Sequence, residues 1–287
     1  MQLASYLVRG RASYGVVHGA TVLDVGGSAG SPATLREFIA SEGYRELLAV
    51  RSWSALAEGM HAQTLELAQV QLLPPIPDAG AIICVGLNYA EHVAETGRKR
   101  PQHPSTFFKL NRSLVGHDQA LRRPAVSSRF DWEAELGVVI GRYARHVDAA
   151  SALSHVAGYT CVNDGTIRDW QHERDVTQGK NFLASGSCGP WLVTADEIAD
   201  PQDLTLLSRL NGVVMQRAST RDMIFSVAHL VAYYSTLTAL HPGDVISTGT
   251  PSGVGHRRTP PLYMRAGDVI EVEIGGIGIL RNTVADE

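Results

Sequence analysis

Cysteine is scarce in this chain of 287 residues, which contains three. Cys84, Cys161 and Cys188 are odd in number, widely spaced and set mostly among apolar residues, as reduced core thiols usually are. We therefore expect them to be free core residues. A cysteine that is paired with a histidine as a nucleophile is the alternative that the sequence leaves open.

Long apolar runs and an excess of positive charge are also missing. No segment approaches the roughly 18 apolar residues that a membrane-spanning helix needs, and no signal-type apolar block follows the first residues. The 25 basic and 29 acidic residues give a net charge of −4, with no basic stripe of the kind that nucleic acids attract. We expect a cytoplasmic protein that has neither a membrane nor a nucleic acid as its partner.

The composition is that of a soluble globular protein, with 44% hydrophobic and 19% charged residues. A chain of this length can bury the core of one large domain and of a small one. The proline-rich segment 72–77 breaks regular structure, because proline removes backbone donors, and it predicts a linker. We therefore expect a small N-terminal α+β domain at residues 1–73 and a main domain at residues 78–287.

Apolar patterns predict many strands and few helices, so the expected fold class is mainly β with α, of the α+β type. Strand patterns occur at residues 4–25, 81–86, 131–141, 156–162 and 267–284. Helical patterns occur after Pro32, from about Ser54 to Ala62 and from Arg221 to Leu240. In the last of these, Leu237 is predicted to face inward and His229 to be a core histidine rather than a ligand.

The most informative strand runs from Asp131 to Gly141 and begins Asp-Trp-Glu-Ala-Glu. Because side chains alternate along a strand, Asp131, Glu133 and Glu135 are predicted to share one face. Three carboxylates on one face repel each other, and a hard divalent cation with oxygen ligands would hold them ionised together. A solvated acidic face on an edge strand is the alternative at this point.

A histidine and a glutamate lie three residues apart in the segment that follows the strand at 81–86. In a helical turn that ends at Gly97, His92 and Glu95 would lie on the same side, where the carboxylate can orient the imidazole and raise its basicity. This spacing predicts a general-base pair, and an ordinary contact on an exposed helix is the alternative. Residues 98–105, with two prolines and three basic residues, have the composition of a mobile lid.

Lysine is rare as well, with three residues against 22 arginines, so each lysine is worth weighing. Lys109 follows an aromatic strand and is a predicted substrate contact. Lys180 lies in a loop-like segment in which glycine allows a ligand to approach the backbone closely. The glycine-rich segment 248–255 contains no lysine and precedes no predicted helix, so it does not resemble a phosphate-binding loop.

The strand at 156–162 leads into Asn-Asp-Gly-Thr-Ile-Arg-Asp-Trp-Gln. If a helix begins near Asp164, then Asp164, Arg168 and Gln171 fall on one helical face. An acid, a fixed cation and an amide would then project together from the start of the helix. An N-cap aspartate with an exposed salt bridge is the alternative.

Together these segments resemble the fumarylacetoacetate hydrolase family over roughly residues 80 to 284. The resemblance depends on motifs that are specific in combination. They are Gly-Leu-Asn-Tyr-x-x-His at 86–92, Asp-x-Glu-x-Glu-Leu at 131–136, Gly-Tyr-Thr-x-x-Asn-Asp at 158–164, Arg-Asp-Trp-Gln at 168–171 and Gly-Asp-x-Ile-x-Thr-Gly-Thr-Pro-x-Gly-Val-Gly at 243–255. The resemblance implies a mixed β-sandwich roll in a catalytic domain at 78–287, and a homodimer.

The resemblance also implies roles for particular residues. The family holds a divalent metal with a Glu-x-Glu pair and a later Asp, which match Glu133, Glu135 and Asp164, so the expected cofactor is Mg²⁺ or Mn²⁺. Its His-Glu dyad on a lid matches His92 and Glu95. The other matches are Lys180 as the catalytic lysine, and Arg168, Gln171 and Thr250 as substrate contacts.

These expectations describe a metal-dependent enzyme whose substrate is a small 2-oxo or diketo acid. Hydrolysis of a C–C bond in an acylpyruvate-like 1,3-diketo acid would give a 2-oxo acid and a second carboxylic acid. The same site could instead catalyse isomerisation or tautomerisation of a 2-oxo or 2-hydroxydienoic acid, or decarboxylation of an oxaloacetate-like acid. A metal-binding scaffold or ligand sensor without turnover is the third hypothesis.

Overall fold

A computed structural model describes residues 1–50 and 62–287, and strands outnumber helices in them, which confirms the predicted class of mainly β with α. The helices are α1 (Leu35–Ala40), α2 (Glu42–Ala49), α3 (Ala90–Thr96), α4 (Arg168–Glu173), α5 (Val176–Gly179) and α6 (Val227–Leu237). The strands before residue 125 are β1 (Gln2–Val8), β2 (Arg11–His18), β3 (Thr21–Asp24), β4 (Gln63–Glu66), β5 (Gln71–Leu72), β6 (Ile82–Gly86), β7 (Ser105–Phe108), β8 (Leu114–Val115) and β9 (Leu121–Arg123). The later strands are β10 (Phe130–Asp131), β11 (Ala134–Ile140), β12 (Val156–Asn163), β13 (Thr166–Ile167), β14 (Gly186–Thr194), β15 (Thr205–Leu210), β16 (Val213–Ser219), β17 (Val245–Ser247), β18 (Val269–Ile274) and β19 (Gly278–Asp286).

Two sheets and one short ladder organise these strands. The larger sheet has the order β4-β3-β2-β1-β14-β12-β11-β17-β6-β7, with β5 paired to β1 and β8 paired to β14. The smaller sheet has the order β16-β15-β18-β19-β9, and β10 pairs with β13 outside both sheets. Strands β11, β12 and β14 of the larger sheet contact β15, β18 and β19 of the smaller one, so the sheets pack face to face. This is the predicted mixed β-sandwich architecture.

The N-terminal strands continue the larger sheet rather than forming a sheet of their own. β1 pairs with β14, with Leu3 opposite Leu192. Residues 73–81 contain neither helix nor strand, which agrees with the predicted break at the prolines. The division into domains at 1–73 and 78–287 stays a prediction, because one sheet joins both parts.

Apolar side chains of the two sheets and of α6 form the main core. Leu136 and Val138 of β11 enter it from the larger sheet, Val272 of β18 from the smaller sheet, and Leu230 and Tyr234 from α6. Each of these side chains is at most 1% exposed. Burial of a large apolar side chain contributes about 1.5–3 kcal/mol, so this layer is a major source of stability.

The N-terminal helices pack on the opposite face of the larger sheet. α1, predicted after Pro32, begins after Thr34, whose hydroxyl accepts a hydrogen bond from the Glu37 amide at 3.2 Å. Phe38 of α1 packs in a core that includes Val139 of β11. Because neighbouring strand residues point to opposite faces, Val139 lies on the other side of the sheet from the main core.

Two helical predictions are wrong in part, and one lies outside the described residues. α6 is shorter than predicted, and Leu237 is 62% exposed because it ends the helix at the edge of the core. His229 is exposed instead of buried, and its ring stacks on Phe225 and Tyr233 with centroids 5.3 and 6.2 Å away. The helix predicted at 54–62 falls almost wholly outside the described residues. None of the described helices is long and apolar enough to cross a membrane.

The cysteine predictions are confirmed. Cys84, Cys161 and Cys188 are free and buried. Burial raises the pKa of the Cys188 thiol to about 12, and it raises those of Cys84 and Cys161 as well. A thiol with such a pKa supplies little thiolate at neutral pH, which argues against a cysteine nucleophile.

A buried carboxylate connects the N-terminal strands. Asp24, which is 4% exposed, accepts hydrogen bonds from the Tyr6 hydroxyl at 2.8 Å, from Arg11 Nη2 at 2.7 Å and from the Ser13 hydroxyl. Burial raises the pKa of Asp24, but the hydrogen bonds from Ser13, Tyr6 and Arg11 outweigh it and hold the pKa below its usual value. The ionised carboxylate therefore stabilises the fold above the pKa of the unfolded chain.

Asp24→Asn should destabilise the protein, because a carboxamide leaves part of this set of donors without an acceptor. We expect the free energy of unfolding at pH 7, measured by urea denaturation, to fall by about 2 kcal/mol. Because the folded-state pKa is depressed, the advantage of the wild type should shrink as the pH falls below about 4. Tyr6→Phe, which removes one donor, should cost about 1 kcal/mol. Equal stability of Asp24→Asn and the wild type would contradict this account.

Candidate metal centre and active site

Three buried carboxylates meet where β11 begins and β12 ends. Antiparallel pairing sets Ala134 opposite Asn163, so Glu133 and Glu135 lie beside the residue that precedes Asp164. The Asp164 amide donates to the Glu133 carbonyl at 2.8 Å. One carboxylate oxygen from each of Glu133, Glu135 and Asp164 lies within 4.8 Å of the other two. Within residues 1–50 and 62–287, these three acids form a group that could hold a metal ion, as the motifs predict.

Asp131 lies outside this cluster, which corrects the prediction of three carboxylates on one strand face. β10 ends at Asp131 and pairs with β13, whereas β11 begins at Ala134 and pairs with β12. The break between the two strands ends the alternation that the prediction assumed. Asp131 instead accepts hydrogen bonds from Arg168 Nε at 2.7 Å and from the amides of Gly255 and His256 at 2.8 and 2.9 Å.

Glu135 has no ion-pair partner among the described residues. It accepts hydrogen bonds from the Ser247 hydroxyl at 2.5 Å and from the Gly249 amide at 3.0 Å. Burial raises the pKa of Glu135, and the neighbouring Asp164 and Glu133 carboxylates raise it further. A divalent cation would relieve this repulsion, and carboxylate oxygens are the ligands that hard cations prefer. The residues therefore fit a divalent metal ion.

Glu133 and Asp164 are paired with buried cations. Lys180 Nζ donates to Glu133 Oε2 at 2.5 Å and to Asp164 Oδ2 at 2.7 Å, and Arg168 Nη2 lies 2.7 Å from Glu133 Oε1. Burial raises the pKa of Glu133, but Lys180 and Arg168 outweigh it and hold the pKa well below its usual value. Burial lowers the pKa of Lys180, but Asp164 and Glu133 raise it above its usual value. Lys180 is therefore an ammonium at neutral pH.

Lys109 contacts Asp164 and is not among the residues that line the cavity at this site. Its Nζ donates to Asp164 Oδ1 at 2.8 Å and to the carbonyl of Lys180, and the side chain is fully buried. These contacts hold two residues of the site in place. The predicted contact of Lys109 with a substrate stays a prediction.

The chain after β12 is extended at Asp164, which corrects the predicted helical face. Thr166 and Ile167 pair with β10, so the backbone cannot turn into a helix before Arg168, where α4 begins. Arg168 and Gln171 are nevertheless together, as expected. Arg168 Nη1 donates to Gln171 Oε1 at 2.9 Å, and both residues line the cavity.

α3 carries the predicted histidine-glutamate pair. His92 Nδ1 lies 2.9 Å from Glu95 Oε2, and Glu95 Oε1 accepts a hydrogen bond from the Gly253 amide at 2.9 Å. Gly97, with φ of 69°, ends the helix in the left-handed conformation, as predicted. Burial raises the pKa of Glu95, but the hydrogen bonds from His92 and Gly253 outweigh it and lower the pKa. Because Nδ1 is held by a carboxylate, Nε2 is the nitrogen that can exchange a proton.

A cavity of about 170 Å³ brings most of the predicted site residues together. The predicted residues on its wall are His92, Glu133, Glu135, Arg168, Gln171, Lys180 and Thr250. Glu95 and Asp164 are not among the lining residues but contact two of them, His92 and Lys180 respectively. The Thr250 hydroxyl donates to the Ala134 carbonyl at 3.0 Å and accepts from Gln216 Nε2 at 2.8 Å. Its donor hydrogen is therefore already bonded within the protein.

Part of the cavity wall consists of residues that the sequence did not predict as site residues. The lining also includes Arg98, His172, His256 and Arg257. Arg98 is predicted only as a lid residue. His256 and Arg257 directly follow the glycine-rich segment, and this position is the one sequence feature that could have indicated that they line the cavity. That segment binds acids through its amides, since Gly249, Gly253 and Gly255 donate to Glu135, Glu95 and Asp131.

A comparison with protein families identifies the class of this chain. Residues 81–285, more than two thirds of its length, match the model of the fumarylacetoacetate (FAA) hydrolase C-terminal domain. The chain therefore belongs to the fumarylacetoacetate hydrolase family, which confirms the resemblance seen in its motifs.

Particular relatives carry different activities in their names. The mitochondrial oxaloacetate tautomerase of Bos taurus is 39% identical over 256 residues, which are 88% of this chain and 80% of that protein. The structure of fumarylacetoacetate hydrolase from Exiguobacterium antarcticum is similar with a TM-score of 0.84 and 35% identity, over 100% of both chains. Maleylpyruvate hydrolase from Sphingobium sp. SYK-6, solved with manganese(II) and pyruvate, has a TM-score of 0.81 and 29% identity, over 100% of this chain and 99% of that one. The family is thus one of enzymes, and membership leaves the reaction open.

Removal of a carboxylate charge from the triad should weaken metal binding. We expect Glu135→Gln and Asp164→Asn each to lower the affinity for Mn²⁺ by more than about tenfold. Changes to residues that only hydrogen-bond to metal ligands already lower metal affinity by about 10–100-fold. Isothermal titration calorimetry on chelator-treated protein measures the affinity. Glu271→Gln, on β18 of the smaller sheet, is the control and should bind Mn²⁺ as the wild type does. Unchanged binding in both triad variants would refute the metal centre.

Proposed function

We propose that this protein is a metal-dependent hydrolase that cleaves a C–C bond in a 1,3-diketo acid of the acylpyruvate kind. The products are a 2-oxo acid and a second carboxylic acid. The proposal includes Mg²⁺ or Mn²⁺ at the triad of Glu133, Glu135 and Asp164 and a small 2-oxo or diketo acid as substrate. It also includes a homodimer as the working unit and the cytoplasm as its location.

The observation that carries this proposal is that an oriented histidine and an acidic triad meet at the same cavity. His92, with Nδ1 held by Glu95, lines the cavity together with Glu133 and Glu135. Water attack on a chelated diketo acid requires a general base and a metal site within reach of one small molecule. The Sphingobium hydrolase, solved with manganese and the 2-oxo acid pyruvate, adds support from a relative.

A divalent cation held by Glu133, Glu135 and Asp164 would polarise the oxygens of the bound acid as a Lewis acid. His92 Nε2 takes a proton from a water molecule, and the resulting hydroxide attacks the distal carbonyl carbon. Glu95 keeps the other proton on Nδ1 and stabilises the imidazolium that forms. The C–C bond then breaks with its electron pair on the carbon next to the 2-oxo group, and His92 returns the proton to that carbon.

The buried cations stabilise negative charge in this reaction. Lys180, whose pKa Asp164 and Glu133 raise above its usual value, supplies positive charge and N–H donors beside the reacting acid. Arg168 does the same beside Glu133, and Asp131 holds its guanidinium in place. The hydrogen bond from Arg168 to Gln171 Oε1 orients that amide, which leaves the amide N–H group free to donate to a ligand in the cavity.

Tautomerisation of a 2-oxo acid is the second candidate, and the sequence relationship favours it. The match to the Bos taurus tautomerase covers 88% of this chain and 80% of that protein. Keto-enol exchange needs a base that removes a proton from the carbon next to the 2-oxo group, and His92 could do this without water attack. Isomerisation of a 2-hydroxydienoic acid or decarboxylation of an oxaloacetate-like acid would use the same residues.

Changes to the histidine-glutamate pair should separate catalysis from folding. We expect His92→Asn to lower kcat/KM by about 10²–10⁴-fold, the usual contribution of a general base. Glu95→Gln should lower it by about 10–100-fold, because the imidazole remains but loses its anionic partner. Glu91→Gln, an exposed position on the same helix, is the matched control and should keep the wild-type kcat/KM. Steady-state kinetics with Mg²⁺ decide the matter, and a fully active His92→Asn enzyme would exclude this mechanism.

Product analysis distinguishes hydrolysis from the other reactions. The protein is incubated with acetylpyruvate, oxaloacetate and a 2-hydroxydienoic acid, each with and without Mg²⁺, and the products are identified by mass spectrometry and proton NMR. We expect acetylpyruvate to give pyruvate and acetate only when Mg²⁺ is present. Exchange between the keto and enol forms of oxaloacetate, without any pyruvate from acetylpyruvate, would replace hydrolysis by tautomerisation. Full activity of chelator-treated protein would contradict both.

A further inference from the structure

A glutamine on the outermost strand of the smaller sheet is buried although its neighbours are not. β16 forms the edge of that sheet, and Gln216 is the one buried residue of this strand, with 1% of its surface exposed. Glutamine is mostly found at protein surfaces, because burial of an amide costs free energy unless its polar groups find partners. The position of Gln216 therefore needs an explanation in its contacts.

All four hydrogen-bonding positions of the Gln216 amide are used. Its Oε1 accepts from the Ala134 amide at 3.1 Å and from the Ser208 hydroxyl at 2.9 Å. Its Nε2 donates to the Thr250 hydroxyl at 2.8 Å and to the Pro251 carbonyl at 2.9 Å. A primary amide has two donor hydrogens and two acceptor lone pairs, so these contacts fix both its orientation and its position.

The contact with Ala134 places this amide at the backbone between two carboxylates of the triad. Ala134 lies between Glu133 and Glu135 in the chain. Successive residues of a strand direct their backbone groups to opposite edges. The Glu133 carbonyl accepts from the Asp164 amide on the β12 side, so the backbone groups of Ala134 face the other side.

Strand β17 does not reach this part of β11, and side chains take its place. The pairing of β17 with β11 ends at Ser247, opposite Gly137. Further along this edge, the Ala134 amide donates to Gln216, and the Ala134 carbonyl accepts from the Thr250 hydroxyl at 3.0 Å. Ala134 is 0% exposed, so without these two side chains its N–H and C=O groups would be buried without partners.

Firm placement matters here because the carboxylates repel each other. Burial raises the pKa of Glu135, and the Asp164 and Glu133 carboxylates raise it further. Without a fixed backbone, this repulsion would move the side chains apart in the metal-free protein. A hard cation needs its oxygen ligands at short, defined distances, so such a movement would have to be reversed before the ion binds. A backbone that stays in place therefore raises the affinity for the ion.

We propose that Gln216 is a positioning residue of the metal centre, which sets the spacing of the two glutamates through the Ala134 peptide between them. It acts from outside the cavity wall, of which it is not a part. The same amide holds the glycine-rich segment against the start of β11 through Thr250. This inference rests on the metal ion of the proposed function and is independent of which candidate reaction the enzyme catalyses.

Gln216→Met tests the proposal, because methionine keeps the length of the side chain and removes its amide. We expect the affinity for Mn²⁺, measured by isothermal titration calorimetry on chelator-treated protein, to fall by about 10–100-fold. Since this variant keeps all three carboxylates, the loss reports their placement and not their charge. Hydrogen exchange of the metal-free protein, followed by mass spectrometry, should be faster in the peptide that spans residues 131–136, because the Ala134 amide loses its acceptor.

Asn282→Leu is the matched control for the loss of a buried amide. Asn282 lies on β19 of the same sheet, is 1% exposed, and donates to the carbonyls of Gly116 and Gln119, both at 2.8 Å. We expect this variant to lower the urea midpoint of unfolding, as Gln216→Met does, because both leave buried backbone groups without a partner. It should nevertheless bind Mn²⁺ as the wild type does.

Thr250 supplies a second test, which does not require that Gln216→Met folds. Thr250→Val should also lower the Mn²⁺ affinity, because the Ala134 carbonyl and Gln216 Nε2 both lose the hydroxyl. Thr250→Ser keeps the hydroxyl and should keep most of the affinity. If the two side chains act through one peptide, the double variant of Gln216→Met and Thr250→Val should lose less affinity than the product of the single losses.

Three outcomes would overturn the inference. The first is a wild-type Mn²⁺ affinity in Gln216→Met, or in Thr250→Val if Gln216→Met does not fold. The second is an equal loss of affinity in Asn282→Leu, which would show general loosening of the smaller sheet. The third is a wild type that does not bind Mn²⁺, which would refute the proposed function as well. Loss of affinity in Gln216→Met, in a protein that does not hydrolyse acetylpyruvate, would support the inference and remove only the proposed reaction.

Discussion

The balance between buried carboxylates and buried cations at the inner end of the cavity governs the rest of the site. The carboxylates are Asp131, Glu133, Glu135 and Asp164, and the cations in contact with them are Lys109, Arg168 and Lys180. A buried charge is costly unless it is paired, and every acid of this set except Glu135 has such a partner. Four negative charges thus face three positive ones. Under the proposed function a divalent ion would reverse the sign and leave one positive charge for the carboxylate of a 2-oxo acid.

The glycine-rich segment connects the separate parts of this site. Its amides hold Glu135 of the triad, Glu95 of the dyad and Asp131, which in turn positions Arg168. Gly253 shows why glycine is needed, because its φ is 99° and an added Cβ would lie 2.4 Å from the Met215 carbonyl oxygen. The helix that carries the histidine is therefore fixed relative to the acidic cluster through one short stretch of backbone.

Local motifs predicted which side chains meet at the inner end of the cavity, and long-range strand pairing decided what they could not predict. The Glu-x-Glu pair, the later aspartate and the His-x-x-Glu spacing are short patterns, and the structure brings those residues together. The position of Asp131 was predicted wrongly because a strand break follows it. The helix start near Asp164 was predicted wrongly because the ladder between β10 and β13 keeps the chain extended. The exposure of Leu237 depends on where α6 leaves the core. The part of the cavity wall formed by Arg98, His172, His256 and Arg257 comes from three segments that are distant in sequence. No local sequence pattern predicts that these segments lie together.

The pairing of β1 with β14 gives the N-terminal region a structural role in the larger sheet. The region that matches the family begins at residue 81, so it lacks the strand that places Leu3 opposite Leu192. A fragment cut to that region would leave the backbone of β14 at Leu192 and Val193 without its strand neighbour, and unpaired N–H and C=O groups at a sheet edge can pair with another chain. The first strand therefore covers a sheet edge that would otherwise favour aggregation through strand pairing between molecules.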